Sequence, residues 1–180
     1  MTEHFTICPA EPSDLTSLVA LHVASWNATY PDYHPKPAVE LRRAQWERLF
    51  RERPDRWFCY VAVTGTGTIA GFATGHDFPD PALPYRGQLD KIHLYKEYQR
   101  MGLGRQLVGR VARHFQAQGT GSMILFADPG NPNIAFYDRL GGTRLPDTNG
   151  QFQGAFGWMD LTPLVQAGAH GGSPGLPEPD

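Results

Sequence analysis

The sequence has few of the residues that define a disulfide-stabilised or zinc-binding protein. Only two cysteines, Cys8 and Cys59, occur among 180 residues, which is too few for a disulfide framework or for a zinc site built from cysteines. Cys59 lies inside an apolar run, where a buried free thiol is expected. We therefore predict a fold that depends on its own apolar core, and no bound metal.

An excess of charge of one sign and long apolar runs are also missing. Lys and Arg number 16 against 18 Asp and Glu, and the formal net charge is −2. This balance gives no electrostatic argument for nucleic acid or an anionic membrane as a partner. The basic residues between Arg42 and Arg56 are interrupted by acidic ones, as on a solvated helix face. No segment is apolar enough for a signal peptide or a bilayer span, so we expect a cytoplasmic protein.

The order of apolar patterns predicts an α+β fold. A strand, two helices, a β-hairpin, a strand, a helix, a strand, a helix and two strands follow one another. This order is typical of a single domain with a mixed, mostly antiparallel sheet flanked by helices. We place this domain at residues 1–165. From about Gln166 the composition is mainly Gly, Ala, Pro and Ser, and we expect residues 166–180 to form a disordered tail.

A glycine-containing turn between a strand and a helix predicts an anion-binding site. The segment Gln99–Gly104 joins the strand Gln88–Leu94 to an amphipathic helix. Glycines allow backbone N–H groups to converge there, and the helix N-terminus adds unsatisfied N–H groups and its positive dipole end. Arg100 and Arg105 flank the turn. No Gly-Lys-Ser/Thr sequence ends the segment, and Leu107 replaces the third glycine of a dinucleotide fingerprint, so neither of those phosphate motifs is present.

A second motif follows one helix and one strand later. The segment Asn131–Gly142 has the pattern N-x-x-x-x-F-Y, with Phe136 and Tyr137 in a short helix that ends at two glycines. By itself this pattern indicates core packing and a helix C-cap. In sequence with the Q-x-x-G-x-G turn, it resembles the GNAT N-acetyltransferase superfamily, and the resemblance extends over nearly the whole chain.

The resemblance implies direct transfer of an acetyl group from acetyl-CoA to a primary amine. Backbone amides from Gln99 to Arg105 would hold the pyrophosphate, and the strand edge from Ile92 to Leu94 would pair with the pantetheine arm and supply an oxyanion donor. Tyr137 would act as general acid toward the leaving thiolate. The positions assigned to acetyl-CoA in this way are Ile92, His93, Leu94, Gln99, Arg100, Met101, Gly102, Leu103, Gly104, Arg105, Asn131, Asn133 and Phe136. The sequence does not distinguish Asn131 from Asn133 as the residue that binds the CoA arm.

The general base departs from the family pattern. Many members have Glu in a Gly-Glu-Leu context, where this chain has Gln88, which cannot act as a base. On a regular strand Asp90 shares a face with Gln88, Ile92 and Leu94, whereas His93 projects to the opposite side. We take Asp90 as the first candidate. The alternatives are His93, together with His76 and Asp77 at the end of the preceding strand.

The acceptor site is predicted from two loops rich in aromatic and acidic residues. The predicted acceptor-binding residues are Trp26, Tyr30, Tyr33, Asp77 and Phe78. Together they would suit a cationic amine beside an apolar group. The acceptor itself is not defined by the sequence, and edge strands near Trp158 could serve a homodimer. Two alternatives stay open: a non-catalytic module that binds acyl-CoA, and a protein for another phosphate-bearing ligand.

Overall fold

Seven strands and five α-helices lie within residues 4–169, the part of the chain that this computed structural model describes. The strands are β1 (Phe5–Pro9), β2 (Phe58–Thr64), β3 (Ile69–Asp77), β4 (Gly87–Leu94), β5 (Met123–Phe126), β6 (Thr143–Pro146) and β7 (Phe152–Trp158). The helices are α1 (Leu15–Thr29), α2 (Val39–Glu52), α3 (Leu103–Ala117), α4 (Ala135–Arg139) and α5 (Thr162–Ala169). The strands form one sheet in the order β1-β2-β3-β4-β5-β7-β6. All neighbouring strands are antiparallel except β4 and β5, which confirms the predicted fold class.

Helices cover both faces of the sheet, and each face has its own apolar core. The face covered by α1 and α2, here called the α1 face, buries Leu18, Leu21, Trp46, Trp57 and Phe72. The face covered by α3 and α5, here called the α3 face, buries Leu89, Leu107, Val111, Phe115, Phe156 and Leu164. Side chains of a central strand therefore alternate between two buried surfaces, which explains the continuous burial of β2 and β3.

Helix α5 corrects the predicted boundary of the disordered tail. Residues 166–169 belong to this helix, and the predicted tail residues 170–180 lie outside the described part of the chain. The small residues of α5 are typical of a flexible tail, but here they allow α5 to pack closely against α3. A Cβ atom added to Gly109 of α3 would lie 2.7 Å from Cα of Gly168. Leu164 of α5 is 2% exposed.

Within residues 4–169, no helix has the length and apolar character needed to cross a membrane.

Candidate active site

The parallel strands β4 and β5 separate soon after they begin. Their Cα atoms pair only at Gly87 with Met123 and at Gln88 with Ile124. Beyond these pairs β4 stays bonded to β3, and β5 stays bonded to β7. A wedge-shaped gap therefore opens in the middle of the sheet toward the C-terminal ends of both strands.

Two residues of β4 direct their backbone groups into this gap. The N–H of Tyr95 donates to the carbonyl of Ala70 at 3.0 Å, on the β3 side. Backbone groups alternate between the two edges of a strand, so the backbone of His93 also faces β3, whereas Ile92 and Leu94 face the gap. Of the predicted contacts to an extended ligand, Ile92 and Leu94 therefore lie on the open edge, and His93 does not.

A β-bulge interrupts β4 at Asp90. Thr74 of β3 pairs with Lys91, and the next residue of β3, Gly75, pairs with Leu89. Asp90 is thus an extra residue with no Cα partner in β3. Such a bulge bends the strand and changes which face the following side chains occupy.

The bulge makes the predicted faces of β4 wrong beyond this point. Leu89, Ile92 and Leu94 all pack against the α3 face. In a regular strand, Leu89 would face the opposite side of the sheet from Ile92 and Leu94. His93 points to the α1 face, where its ring contacts those of α1. Asp90 therefore shares a face with His93 and not with Ile92 and Leu94.

Asp90 is held at the α1 face through one of its two carboxylate oxygens. Thr74 Oγ1 donates to Oδ2 at 3.5 Å, and Lys91 Nζ donates to the same oxygen. Thr74 alternates in register with Phe72, which contacts His22 of α1. Within residues 4–169, Oδ1 of Asp90 makes no hydrogen bond, and this oxygen can accept a proton.

Two neutral histidines lie beside Asp90 on the α1 face. Trp46 Nε1 donates to His22 Nδ1 at 3.2 Å, and His93 Nδ1 lies 3.1 Å from Ser25 Oγ. The two imidazole rings are 4.7 Å apart. Burial is the main cause that lowers the pKa of His22 to about 2 and that of His93 to about 4, and Arg42 and Lys91 add to the lowering of both. Neither ring carries a charge at neutral pH.

The predicted phosphate loop has the backbone of an anion site. Arg100 and Gly102 adopt left-handed conformations, with φ of 66° and 78°. The N–H of Gln106 donates to the carbonyl of Gly102 at 3.2 Å. The N–H groups of residues 103–105 precede that first helical bond and have no acceptor inside α3. These donors and the positive end of the α3 dipole favour an anion at this turn.

Side chains close the loop onto the end of β4. Gln99 Nε2 donates to the carbonyl of Leu94 at 3.4 Å. The guanidinium of Arg105 lies over the turn, with Nη2 3.6 Å from the position that a Cβ atom on Gly102 would occupy. Met101 is exposed. The loop and the open edge of β4 thus form one continuous surface.

Gly104 joins this loop to the second motif. A Cβ atom at Gly104 would lie 3.2 Å from Cζ of Phe136, the residue that precedes Tyr137 in α4. The Q-x-x-G-x-G turn and the N-x-x-x-x-F-Y helix are therefore in direct contact.

Tyr137 is a buried tyrosine whose hydroxyl group keeps its proton. Its side chain is 7% exposed and its ring packs against those of Phe136 and Phe156. Within residues 4–169 its hydroxyl makes no hydrogen bond. Burial, with a smaller contribution from Tyr30, raises the pKa of Tyr137 to about 12. The group therefore keeps its proton at neutral pH.

The two asparagines before α4 have different environments. Asn131 Oδ1 accepts a hydrogen bond from the N–H of Asn133 at 2.8 Å and so supports the turn that leads into α4. The side chain of Asn133 is exposed. The oxygen of Asn131 thus has a structural role, and its amide nitrogen stays available as a donor.

Three of the predicted acceptor residues form an aromatic cluster at the end of α1. The ring centroid of Trp26 lies 5.2 Å from that of Tyr30 and 5.0 Å from that of Tyr33. The side chain of Lys36 packs against this cluster. Its Nζ lies 5.8 Å from the Trp26 ring and donates to the carbonyls of Tyr30 and Pro31 at 2.7 and 2.9 Å.

The other two predicted acceptor residues make different contacts. Phe78 packs against Phe126 of β5, with 5.9 Å between ring centroids. Asp77 forms a two-pronged ion pair with Arg56, at 2.6 and 2.8 Å. Arg56 thus contacts the carboxylate that Asp77 is expected to offer to an acceptor, and acceptor binding by Asp77 stays a prediction.

Arg42 departs from the solvated helix face that the sequence predicts for this segment. It lies one helical turn before the fully buried Trp46, on the side of α2 that faces α1. Arg42 is half-buried, and in the described part of the chain its side chain donates only to Gln45 Oε1, at 3.1 Å. Within residues 4–169 it forms no ion pair. Burial lowers the pKa of the Arg42 guanidinium from its ordinary value.

Together, the separated strands, the loop at α3 and the buried tyrosine define a transferase fold of the GNAT type. The chain belongs to the GNAT acetyltransferase family, whose model matches residues 17–142. It is 29% identical over 166 residues to the uncharacterized N-acetyltransferase YuaI of Bacillus subtilis (strain 168), which covers 88% of this chain and 95% of that protein.

Solved structures share the fold at low identity. The PaiA N-acetyltransferase of Thermoplasma acidophilum, in complex with coenzyme A, has a TM-score of 0.70 and 18% identity, covering 86% of this chain and 98% of that chain. YncA of Salmonella typhimurium, solved with acetyl-CoA, has a TM-score of 0.60 and 17% identity, covering 87% of this chain and 95% of that chain. A cytoplasmic location and a homodimer stay predictions.

Proposed function

We propose that this GNAT-family protein is an N-acetyltransferase that moves an acetyl group from acetyl-CoA directly to a primary amine of a small molecule or peptide. The observation that carries this proposal is the contact between Gly104 and Phe136. It brings a free helix N-terminus next to a buried, protonated tyrosine. The complexes of PaiA with coenzyme A and of YncA with acetyl-CoA support the same assignment.

The residues present fit acetyl-CoA. The N–H groups of residues 103–105 and the side chains of Arg100 and Arg105 would hold the pyrophosphate. The backbone of Ile92 and Leu94 would bond the amide-bearing pantetheine arm as an added strand. A backbone N–H near Leu94 would stabilise the oxyanion, a contribution of about 3 kcal/mol for one donor.

Tyr137 would act as the general acid. Transfer forms a bond between the acceptor nitrogen and the acetyl carbon and breaks the bond from that carbon to sulfur. Sulfur leaves with the electron pair and takes the phenol proton of Tyr137, which solvent later replaces. The raised pKa of Tyr137 keeps this proton in place until the thiolate forms.

Asp90 would act as the general base. The acceptor arrives as an ammonium, because an unperturbed primary amine has a pKa near 10. The free Oδ1 of Asp90 would take one proton from the ammonium and pass it to solvent, while Thr74 and Lys91 hold Oδ2. The nitrogen loses its second proton to solvent after it attacks the acetyl carbon, and this proton balances the one that solvent returns to Tyr137.

A non-catalytic module that binds acyl-CoA is the second candidate. Gln88 in the position of the family's Glu favours it, as does the Lys91 ammonium on the carboxylate of Asp90.

Two measurements test the proposal. Calorimetry with CoA and acetyl-CoA should show saturable binding, and its absence would remove the acetyl-CoA assignment. Thiol release from acetyl-CoA should then rise with amines from a panel of amino acids, polyamines, aminoglycosides and peptide N-termini. Tight binding without turnover on any panel member would favour the non-catalytic module.

A further inference from the structure

Three positive side chains lie on the α1 face or in the segment that follows α1. Lys36 comes from the segment after α1, Arg42 from α2 and Lys91 from the bulge of β4. Lys91 pairs with Asp90 and so has a negative partner. In the described part of the chain, the side chain of Lys36 bonds only backbone carbonyls, and the side chain of Arg42 bonds only the amide of Gln45. Within residues 4–169, neither of these two cations forms an ion pair.

Arg42 is a cation without an ion pair in the described part of the chain, and it acts on the histidine pair. The Trp46 to His22 hydrogen bond fixes α2 against α1 at this level, and Arg42 lies one turn away on the same helix face. Its positive charge is among the influences that lower the pKa of both His22 and His93. The histidines are neutral there and supply no negative charge. A half-buried guanidinium without an anion is costly, because the surroundings replace only part of its hydration.

The aromatic cluster at Trp26 does not favour a cationic group on the acceptor. A cationic acceptor group over Trp26 would meet Lys36, which already lies against that ring. Lys36 and Arg56 thus already contact Trp26 and Asp77, two of the residues predicted to bind a cationic acceptor.

We infer that the acceptor amine carries an anionic group, a carboxylate or a phosphate, and that Arg42 binds this group while the amine faces Asp90. The inference rests on the proposed acetyl transfer for the position of the amine. The planar fork of Arg42 matches both kinds of oxyanion. Arg42 is thus a specificity residue for the acceptor and takes no part in the chemical step.

The test uses amines in matched pairs that differ only in the anionic group. Amino acids are compared with their amides, and O-phosphoethanolamine with ethanolamine, by kcat/KM for thiol release. The carboxylate or phosphate member should be preferred by about tenfold or more, the size of one charged hydrogen bond. The two kinds of pair distinguish carboxylate from phosphate recognition. Equal or better use of the neutral members would overturn the inference.

Variants of α2 test whether the preference for anionic acceptors depends on Arg42. Arg42→Gln should raise KM for the anionic members by about tenfold, leave the neutral members unchanged, and remove the preference. Arg42→Lys should restore part of it, because the charge returns without the fork. Arg48→Gln is the matched control, since Arg48 is exposed on the same helix and pairs with Glu52. A preference that survives in Arg42→Gln, with the fold intact by circular dichroism, contradicts the assignment.

Binding separates failure of this inference from failure of the proposed function. If no amine is acetylated, calorimetry on CoA-loaded protein compares the same matched pairs. Tighter binding of the anionic members that is lost in Arg42→Gln supports the anion site even without catalysis. Equal binding within the pairs overturns it.

Discussion

Asp90 and His93 project from the same face of β4, although regular alternation would place them on opposite faces. The extra residue at Asp90 changes the alternation, and His93 contacts His22 and Ser25 of α1. The open backbone edge of Ile92 and Leu94 lies on the same strand. An acceptor approaching from α1 and α2 therefore meets a carboxylate beside the edge where the pantetheine arm would bind.

Replacing Asp90 tests the base. Asp90→Asn should lower kcat/KM by about 10²-fold, the low end of what a positioned base contributes, and should leave acetyl-CoA affinity unchanged. The amide keeps the shape of the side chain and loses the proton acceptor. The loss should shrink at high pH, where more acceptor is already deprotonated. Asp90→Glu should recover part of the rate. An Asp90→Asn enzyme with the wild-type rate and pH profile would exclude Asp90 as the base.

Replacing Tyr137 tests the acid. Tyr137→Phe should lower turnover by about 10²-fold and change the Kd of acetyl-CoA little, because only the hydroxyl is removed. Tyr60→Phe is the matched control. Its hydroxyl bonds His114 Nδ1 at 3.0 Å, remote from α4, so this variant should lose about 1 kcal/mol of stability and no turnover. Unchanged turnover in Tyr137→Phe would remove this tyrosine from the mechanism.

A larger side chain at Gly104 should weaken acetyl-CoA binding. The branched side chain of Gly104→Val would press on Phe136 and separate the loop from α4. Overpacking of this kind costs about 1–3 kcal/mol, so we expect the Kd to rise about tenfold by calorimetry. Gly121→Val is the control, because a Cβ atom there would meet nothing within 4 Å. Equal affinity in the two variants would show that the contact does not shape the site.

The two motifs could be predicted because their roles depend on local backbone. Gly102 must adopt positive φ, and a glycine before an amphipathic helix makes that requirement visible in the sequence. Phe136 and Tyr137 lie in a short helix whose start and end are also marked by residue type. Both motifs occupy the positions that the sequence predicts.

The features that were missed depend on contacts between distant elements. Nothing near Asp90 marks a bulge, because the extra residue exists only relative to β3. Arg42 resembles its basic neighbours on α2, and its burial follows from how α2 docks against α1. Gly168 lies in a segment whose composition is typical of a disordered tail, yet it contacts Gly109 of α3. Periodicity within one segment carries no information about such pairings.

Contact between α3 and α5 should be sensitive to one methyl group. Gly109→Ala would place Cβ 2.7 Å from Cα of Gly168 and 2.8 Å from the carbonyl oxygen of Leu164. These neighbours are backbone atoms, so the helices must move apart at a cost of about 1–3 kcal/mol. Urea unfolding should show this loss, whereas Gly121→Ala should unfold like the wild type. Equal stability of the two variants would contradict the close packing of α5.

The stability of the protein should fall as the pH decreases below about 6.5, because two buried histidines must stay neutral. An unfolded histidine has a pKa of 6.5, against about 2 for His22 and about 4 for His93 in the folded chain. The unfolded state binds these protons first, so the contribution is complete above pH 6.5 and is lost as the pH falls toward the folded values. Each histidine should cost about 2 kcal/mol between pH 7 and pH 5.

His22→Asn separates this linkage from general acid sensitivity. The amide oxygen can accept the Trp46 N–H in place of Nδ1, and the side chain does not titrate. The variant should be less stable than the wild type at pH 8 because a cavity remains, yet lose about 2 kcal/mol less between pH 7 and pH 5. Urea unfolding at a series of pH values measures both slopes. Parallel curves for the two proteins would mean that the fold does not hold His22 neutral. The conclusion that His22 and His93 are both uncharged beside Arg42 would then be wrong.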